Sequence, residues 1–381
     1  MKLLDRYVLR NFFEPFFIAF SAFIAIWLIM DLHDNQGEFI EARASIGQVS
    51  KYYLTQLPAI TLISMPIGLL LALLFSLSSM SRRNEIISML TAGRSVFRVL
   101  LPLLMIGVLA TAACLWLNWE MAPHGEGIRK VALKQIRRGK KAGEFEPVNG
   151  HLFRDRQNDR TWFVRRFRPG ESRFDNVHIT QQDESGRIVK KWYAERADYE
   201  AATRTWVLQN GLIVDFNEQG DIESSDPFPG GVRKISDWSE TPWRVSSSQL
   251  DPQNLSVPEL QEYLKYNYDF PQAQLAPYRT NLSDRWALPA SCFIVVLISA
   301  PLGIVYNRRG VLAGVAGAIF FFFAMIMTRD LFLALGKGGR ISPAWAPWIP
   351  DAVAGVIGLI LLWFRSTNRD LPSFSFSLKR K

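Results

Sequence analysis

The sequence contains few of the side chains from which metal centres, redox pairs and nucleophilic active sites are built. Its 381 residues include two cysteines, Cys114 and Cys292, and four scattered histidines. Both cysteines lie inside long apolar runs, and neither a disulfide framework nor a zinc site can be built from them. We therefore expect no metal and no cofactor.

Motifs of nucleotide hydrolysis and of common hydrolytic sites are also missing. No GxxxxGK[ST] loop occurs, which excludes nucleotide hydrolysis by the P-loop route. Neither HExxH nor GxSxG occurs, and the ionisable residues of the central segment form no pair suited to acid–base catalysis. No catalytic residue is predicted, and a membrane-anchored enzyme is the least favoured class of function.

The chain does contain long apolar segments on either side of a polar one. A membrane span needs roughly 20 apolar residues, and six segments approach that length. They cover residues 16–30, 52–81, 99–119, 286–307, 310–328 and 352–364, the last extended back towards Trp345. The predicted domains are residues 1–119 with three spans, 120–284 as a soluble domain, and 285–381 with three more spans.

Positive charge is concentrated in the membrane part of the chain. The net charge is +9, yet residues 120–284 hold 24 Lys and Arg against 25 Asp and Glu. With the N-terminus in the cytoplasm, the short segments on that side are basic and the short outer loops are acidic or mixed. This asymmetry predicts cytoplasmic termini, a basic cytoplasmic tail, an external central domain and no nucleic-acid partner.

The central segment is predicted to be β-rich. Short runs rich in Val, Ile, Phe and Trp alternate with turn signals such as Asn210-Gly211, which indicates a sandwich or jelly roll. Ser256 and Glu259 form a capping box that opens a helix through Leu264. The basic run at residues 129–141 either attracts anionic headgroups or forms an ordinary solvated helix.

A polar, basic segment at residues 79–98 lies between the second and third spans. Within it Ile86, Ile87, Met89 and Leu90 recur at helical spacing, and Gly93 is placed to end the helix. A short amphipathic helix on the cytoplasmic side is suited to docking a partner, although a solvated loop helix also fits the pattern. Because the chain lacks a P-loop, an ATPase bound here would be a separate subunit.

Arg329 and Asp330 lie at the end of the fifth apolar run and are candidate lipid contacts. The planar donors of arginine match phosphate geometry. An interfacial ion pair that ends the span is the alternative.

Several short motifs occur in a fixed order along nearly the whole chain: Leu4-Asp5-Arg6-Tyr7, Ser81-Arg82-Arg83-Asn84-Glu85-Ile86, Trp206-Val-Leu-Gln-Asn210-Gly211 and Ala300-Pro301-Leu302-Gly303. Their order and spacing resemble the lipopolysaccharide export permeases of the YjgP/YjgQ type, the F and G membrane subunits of the Lpt ABC transporter. The resemblance implies an α+β membrane protein with six transmembrane helices (3+3). A periplasmic β-jelly-roll domain would lie between helices 3 and 4.

The resemblance also implies a permease subunit of an ATP-driven lipopolysaccharide exporter in the bacterial inner membrane. Its partners would be a paralogous permease subunit, a cytoplasmic ABC ATPase dimer, lipopolysaccharide and the jelly-roll components of a periplasmic bridge. Spans one and five would form the lipid gate. A coupling helix at about residues 82–93 would carry the ATPase-docking residues Arg82, Arg83, Glu85, Ile86, Met89, Leu90 and Gly93. A subunit that transmits motion or scaffolds without conducting lipid is the alternative.

The chain departs from the family pattern at two places. The outer end of span one is acidic, with Asp31, Asp34 and Glu38, where better-known members carry basic residues. Ser283 stands where a histidine is common before Arg285. These departures leave the phosphate contacts and the exact lipid open, as the sequence leaves open which of the two paralogous subunits the chain is.

Overall fold

The computed structural model describes residues 3–125, 148–168, 171–247, 251–268, 270–304 and 311–367. The basic run at residues 129–141 and the basic tail lie outside the described residues. The described residues fall into two compact units. A helical unit lies within 1–137, 252–261 and 272–381, and a sheet unit lies within 138–251 and 262–271.

Helices dominate the first unit. Among the described residues the helices are, in chain order, α1 (Leu3–Glu41), α2 (Ile46–Arg82), α3 (Glu85–Thr91), α4 (Val96–Trp119), α5 (Pro242–Ser247), α6 (Val257–Tyr266), α7 (Gln272–Gly303), α8 (Val311–Lys337) and α9 (Trp348–Ser366). Of these, α5 and the second half of α6 belong to the sheet unit. Six of them, α1, α2, α4, α7, α8 and α9, are long and apolar enough to cross a membrane. The prediction of three spans before the central domain and three after it is confirmed.

The spanning helices extend well beyond their apolar runs. Helix α1 has 39 residues, about 58 Å at 1.5 Å per residue, against a hydrocarbon core of about 30 Å. Its polar start and its apolar run therefore form one continuous helix. Helix α7 likewise begins at Gln272, well before the apolar run that starts at residue 286. Hydropathy predicts the hydrocarbon-crossing part of a helix, whereas backbone hydrogen bonding continues into the polar flanks.

Helices α2 and α7 occupy the centre of the helical unit. Leu73 and Leu77 of α2 are fully buried in one cluster with Val296 and Ala300 of α7, together with side chains of α1 and α4. The neighbouring leucines of α2 pack in a second cluster with α7, α8 and α9. A Cβ at Gly303 would lie 2.9 Å from the Cβ of Leu77, so a glycine there allows the two central helices to pack closely.

The sheet unit confirms the predicted β-rich domain between the third and fourth spans, and with it the α+β class. Its strands are β1 (Val148–Asp155), β2 (Arg160–Phe167), β3 (Arg173–Gln182), β4 (Ile188–Glu200), β5 (Thr205–Phe216), β6 (Ile222–Pro227) and β7 (Val232–Ile235). Strands β1 to β6 are antiparallel neighbours in chain order, and β7 pairs with the first half of β5.

The sheet unit contains a buried ion pair between Arg160 and Glu240. Arg160 donates two hydrogen bonds to the carboxylate of Glu240, at 2.7 and 2.9 Å, and both side chains are buried. The indole of Trp162 donates to the same carboxylate at 3.3 Å, and that of Trp206 donates to the Glu240 backbone carbonyl at 2.7 Å. Two tryptophans and one arginine therefore satisfy this buried glutamate.

A row of residues that crosses the strands interrupts the regular sheet, and we call this row the crease. The register places its members next to one another on β1 to β5, and they are Gly150, Arg165, Asn176, Glu195 and Asn210. Its members on β1, β3 and β5 have left-handed φ angles of 70°, 51° and 50°. On β2 and β4, the crease residue and the next one are both exposed. A regular strand would place consecutive side chains on opposite faces of the sheet. At the crease, the alternation of buried and exposed side chains along β2 and β4 is therefore interrupted.

The capping box at the start of α6 is confirmed. The backbone N–H and the hydroxyl of Ser256 both donate to the Glu259 carboxylate at 2.8 Å, and the Glu259 N–H donates back to the Ser256 hydroxyl at 3.4 Å. His124 Nε2 lies 2.9 Å from the same carboxylate. Burial opposes ionisation of Glu259, but the hydrogen bonds from Ser256 and His124 outweigh it and hold the pKa of the carboxyl below its ordinary value.

Candidate functional site

The segment between the second and third spans forms a sharply bounded turn. Helix α2 ends at Arg82, and Asn84 takes a left-handed conformation with a φ of 59° before α3 begins at Glu85. Asparagine tolerates this conformation better than most residues. Ser95 then caps α4, its hydroxyl accepting the Arg98 N–H at 3.3 Å. Arg82 thus belongs to the last turn of α2, and the short helix is α3 alone.

The apolar residues of α3 divide between two sides. Ile86 is 1% exposed and belongs to the core of the helical unit, with Met89 and Leu90 half-buried against the same cluster. This i, i+3, i+4 set forms one face of the helix. Ile87 is 38% exposed, and Phe97 at the start of α4 is 45% exposed. Ile86 therefore anchors α3 to its own bundle, and the face that a partner could touch carries Ile87, which the predicted docking set omitted.

Glu85 lies at the border of these two faces. Its Oε1 is 3.9 Å from a guanidinium nitrogen of exposed Arg83, and its side chain is 23% exposed. Its Oε2 is enclosed and has no hydrogen-bond partner among the described residues. A carboxylate in the first turn also interacts favourably with the helix dipole. Glu85 is thus a partly covered carboxylate with an unused acceptor.

Gly93 ends α3 as the sequence predicts. Its φ is 79°, in the left-handed region that glycine reaches without a Cβ clash. The N–H of Arg94 donates to the Met89 carbonyl at 3.2 Å, and that of Gly93 donates to the Leu90 carbonyl at 3.0 Å. This is the Schellman motif, and it fixes the direction in which the chain leaves α3.

The start of α1 lies at the same end of the helical unit as this turn. Arg98, in the first turn of α4, donates to the Asp5 carboxylate at 3.1 Å, and both side chains are largely buried. The Asp5 of the opening motif therefore holds the N-terminal helix against the end of the α2–α4 connection.

The two candidate lipid contacts do not lie together. Arg329 is half-buried and pairs with Asp284 of α7, whereas Asp330 is exposed. Helix α8 continues to Lys337, so Arg329 lies inside the helix and does not end it. Asp351 of α9 is 1% exposed and lies within electrostatic range of both Arg329 and Asp284. Spans four, five and six thus each contribute one charged residue to a cluster of two carboxylates and one guanidinium.

Two spans leave most of their apolar surface uncovered within this chain. Of the most apolar 18 residues, 11% are buried in α1 and 17% in α8, compared with 67% in each of α2 and α7. Phe17 of α1 and Phe320 of α8 are among the exposed side chains. The chain by itself therefore presents the faces of spans one and five outward.

The acidic end of α1 has a packing role at one position. Asp31 is buried, and its Oδ1 lies 3.5 Å from the hydroxyl of Tyr52 on α2, whereas Asp34 is exposed. Ser283, at the other departure from the family pattern, donates to the backbone carbonyl of Ala344 at 2.5 Å. Both residues have contacts within the helical unit that a lipid is not needed to explain.

Long-range contacts that the sequence does not predict join α4 to α7. The Sγ atoms of Cys114 and Cys292 lie 3.7 Å apart in the core, both as free thiols. Asn118 donates to the Arg285 backbone carbonyl at 2.8 Å, and Arg285 donates to the Asn118 side chain at 3.2 Å and to the Leu255 carbonyl. Among the residues that the structure describes, no three potential ligands come together to hold a metal ion.

Known proteins are similar to this chain along almost its full length. The family model described as lipopolysaccharide export system permease LptF/LptG matches residues 6–364. The chain is 22% identical, over 369 residues, to lipopolysaccharide export system permease protein LptG of Escherichia coli K12, and the match covers 96% of this chain and 99% of that protein. LptG of Haemophilus influenzae is 22% identical over 284 residues, covering 70% of this chain and 72% of that protein.

Proposed function

This chain belongs to the LptF/LptG family of lipopolysaccharide export system permeases, and we propose that it is the permease subunit through which an ATP-driven exporter moves lipopolysaccharide out of the inner membrane. The chain has no P-loop, so a separate ATPase dimer would supply the energy. The motion would enter at α3 and act on the six spans, which would release the lipid towards a periplasmic bridge. The curated relatives are named LptG, which favours the same one of the two paralogous roles for this chain.

The observation that carries this proposal is the construction of the α2–α4 turn. Helix α3 is anchored by Ile86, ended by a Schellman motif at Gly93 and braced next to the Asp5–Arg98 pair. An element held this firmly can transmit a push to α2 and α4, whereas a loosely attached loop helix could not. Its outward side combines exposed Ile87 with the carboxylate of Glu85, which suits a partly apolar, partly basic groove on a partner.

We infer the orientation from the charges around this turn. Arg82, Arg83 and Arg94 are all exposed there, and basic short segments remain on the cytoplasmic side. The termini and α3 would then be cytoplasmic, with residues 120–284 as the periplasmic jelly-roll domain. Residues 1–119 and 285–381 would form the membrane part.

Co-purification with the ATPase tests the docking role. Ile87→Asp and Glu85→Lys should each abolish recovery of the ATPase with the full-length permease, while leaving the bundle folded. Ile46→Asp is the matched control, because Ile46 is an 87% exposed isoleucine at the other end of α2. Leu90→Asp is less informative, since Leu90 packs against the bundle core and its substitution would confuse docking with folding. Undiminished recovery with both Ile87→Asp and Glu85→Lys would refute the docking role.

Photo-crosslinking tests whether the lipid passes along spans one and five. A crosslinking amino acid at Phe17 of α1 or Phe320 of α8 should form lipopolysaccharide adducts in cells, and depletion of the ATPase should change their yield. Met105, a 60% exposed residue of α4, is the control position. Adducts no more abundant at either site than at Met105 would favour a scaffolding subunit that does not conduct lipid.

A further inference from the structure

An open, polar cavity of about 890 Å³ follows the crease across five strands of the sheet unit. Its lining includes three arginines, Arg165, Arg166 and Arg196, two carboxylates, Asp175 and Glu195, and amide side chains from β1, β3 and β5. The crease produces this composition, because on β2 and β4 it exposes two consecutive polar side chains where a regular strand would turn one of them into the core. We call this cavity the crease groove.

The arginines of the crease groove are not engaged within the described part of the chain. None of the three has an ion pair or a side-chain hydrogen bond with a described residue. By contrast, Arg173 on the same sheet donates to Asp198 at 2.8 Å. Arg166 and Asp175 are register partners on neighbouring strands without forming an ion pair. The groove therefore holds three guanidinium groups that no described residue engages.

Backbone geometry supports a built site. Three left-handed residues, Gly150, Asn176 and Asn210, occupy the same row on alternate strands. Non-glycine residues adopt this conformation at a cost, and such residues are concentrated where function requires a particular shape. Asn210 also donates to the Glu195 carboxylate at 3.0 Å, which fixes one wall of the groove.

The pattern of charges defines the ligand class. Register places Arg166, Asp175 and Arg196 in one row on β2, β3 and β4, so the two arginines are separated by about 10 Å, two strand spacings. Guanidinium groups match phosphate geometry, whereas carboxylates and amides accept from hydroxyl or amino groups. The intervening carboxylate repels a continuous polyanion and accommodates separate phosphates on a hydroxyl-bearing scaffold.

We propose that the crease groove binds a phosphorylated saccharide. The choice of a glycolipid headgroup as its source rests on the proposed function, since the exported lipid carries phosphorylated sugars. The site is separate from the apolar faces of α1 and α8, and it would engage the sugar–phosphate part of the ligand.

Direct binding to the purified full-length protein tests this proposal. The probe is fully deacylated lipopolysaccharide, which keeps its sugars and phosphates, and the assay is titration calorimetry in detergent. We expect Arg165→Gln and Arg196→Gln to weaken binding by roughly tenfold each, since a charge-assisted hydrogen bond contributes about 1.4 kcal/mol or more. Arg233→Gln is the matched control, because Arg233 is an exposed arginine of β7 outside the groove. Enzymatically dephosphorylated probe should bind at least tenfold more weakly.

Three results would overturn the proposal. The first is unchanged affinity of both groove variants, and the second is an equal loss with Arg233→Gln, which would indicate diffuse attraction. The third is competition by inorganic phosphate at the same concentration as the probe, which would indicate a simple anion site. These results are independent of the docking and crosslinking experiments, which use the acylated lipid and residues of the helical unit, so failure here leaves the export role to its own tests.

Discussion

The charge cluster between spans four, five and six allows a quantitative test of the helical unit. Asp284 and Arg329 form an ion pair with side chains 18% and 13% exposed, and Asp351 is 1% exposed. Both oxygens of Asp351 are enclosed and lack a hydrogen-bond partner among the described residues. Arg329 is therefore paired with Asp284 and also lies within electrostatic range of Asp351.

Removing the cation alone should be more damaging than removing it together with Asp284. Arg329→Leu leaves Asp284 and Asp351 without it, and breaking a buried pair in this way costs about 3–5 kcal/mol. Replacing Arg329 and Asp284 together by leucine should recover part of that loss, because it removes the carboxylate of the broken pair and leaves only Asp351 without the cation. Adding Asp351→Asn to Arg329→Leu should recover part of it by removing the repulsion between the two carboxylates.

The two cysteines provide a reporter confined to the helical unit. Cys114 and Cys292 are the only cysteines in the chain and both are buried there. When opening and closing are fast, the rate of thiol labelling follows the population of the open form. A loss of 3–5 kcal/mol then corresponds to labelling that is roughly 10²-fold faster or more.

Arg340→Leu is the control for this experiment, because Arg340 is an exposed arginine just beyond the end of the same helix. It should leave the labelling rate within about a factor of two, as expected for a surface substitution. Equal labelling rates for Arg329→Leu and the double leucine variant would refute the reasoning, as would wild-type labelling of Arg329→Leu.

Three further predictions concern the sheet unit and the α3 turn. Glu240→Ala should destabilise the sheet unit by about 3–5 kcal/mol, because it leaves Arg160 as an uncompensated buried charge. Denaturation followed by tryptophan fluorescence measures this free energy of unfolding, and a loss below about 1 kcal/mol would contradict the prediction. Gly93→Ala should lower the free energy of unfolding by about 1–2 kcal/mol through the left-handed φ alone, since a Cβ there meets nothing within 4 Å. Gly93→Asn should lower it less. Equal recovery of the ATPase with the wild type and both variants would exclude a role for the cap in docking. Burial lowers the pKa of His151, outweighing the hydrogen bond that it donates to the Val245 carbonyl at 2.6 Å. Because the folded pKa lies below the unfolded one, His151 contributes stability above its ordinary pKa that is lost as the pH falls through the folded value. The free energy of unfolding, measured between pH 7 and pH 5, should show this loss in the wild type but not in His151→Gln.

Features that depend on local composition could be predicted from the sequence. The six spans follow from runs of apolar residues, and the capping box at Ser256 follows from residues three positions apart. Gly93 could be placed because a glycine directly after an amphipathic pattern favours the left-handed cap. The capping box and the glycine cap are each determined within one or two helical turns, and each span is determined by a single continuous apolar run.

Features that depend on tertiary packing could not be predicted. Ile86 and Ile87 are chemically identical neighbours, and only the position of the bundle decides that the first is buried and the second exposed. The alternative interpretation of Arg329 and Asp330 as an ion pair fails because consecutive residues on a helix point to different sides. The partner of Arg329 is Asp284, 45 positions away in the chain.

The crease had a signal in the sequence that periodicity could have identified. Each strand from β2 to β5 contains two consecutive polar residues that an apolar residue precedes and an apolar residue or glycine follows, and these pairs are Arg165-Arg166, Asp175-Asn176, Glu195-Arg196 and Gln209-Asn210. A regular strand alternates with period two, so a polar pair between two residues of the core face indicates an irregularity in each strand. The register then showed that the four interruptions are aligned.

The exposed face of α8 carries a carboxylate, Asp330, among apolar side chains. Helix α8 has 27 residues and Asp330 lies seven residues from its end, about 10 Å along an axis of about 40 Å. A hydrocarbon core of about 30 Å would enclose that position in a centred helix. Exposed Met327 and Leu331 on either side of it suit lipid, but a carboxylate that pairs with no described residue is costly in hydrocarbon. Acyl chains alone therefore do not satisfy this face, because Asp330 requires a polar neighbour on the otherwise apolar surface at which spans one and five are proposed to admit the lipid.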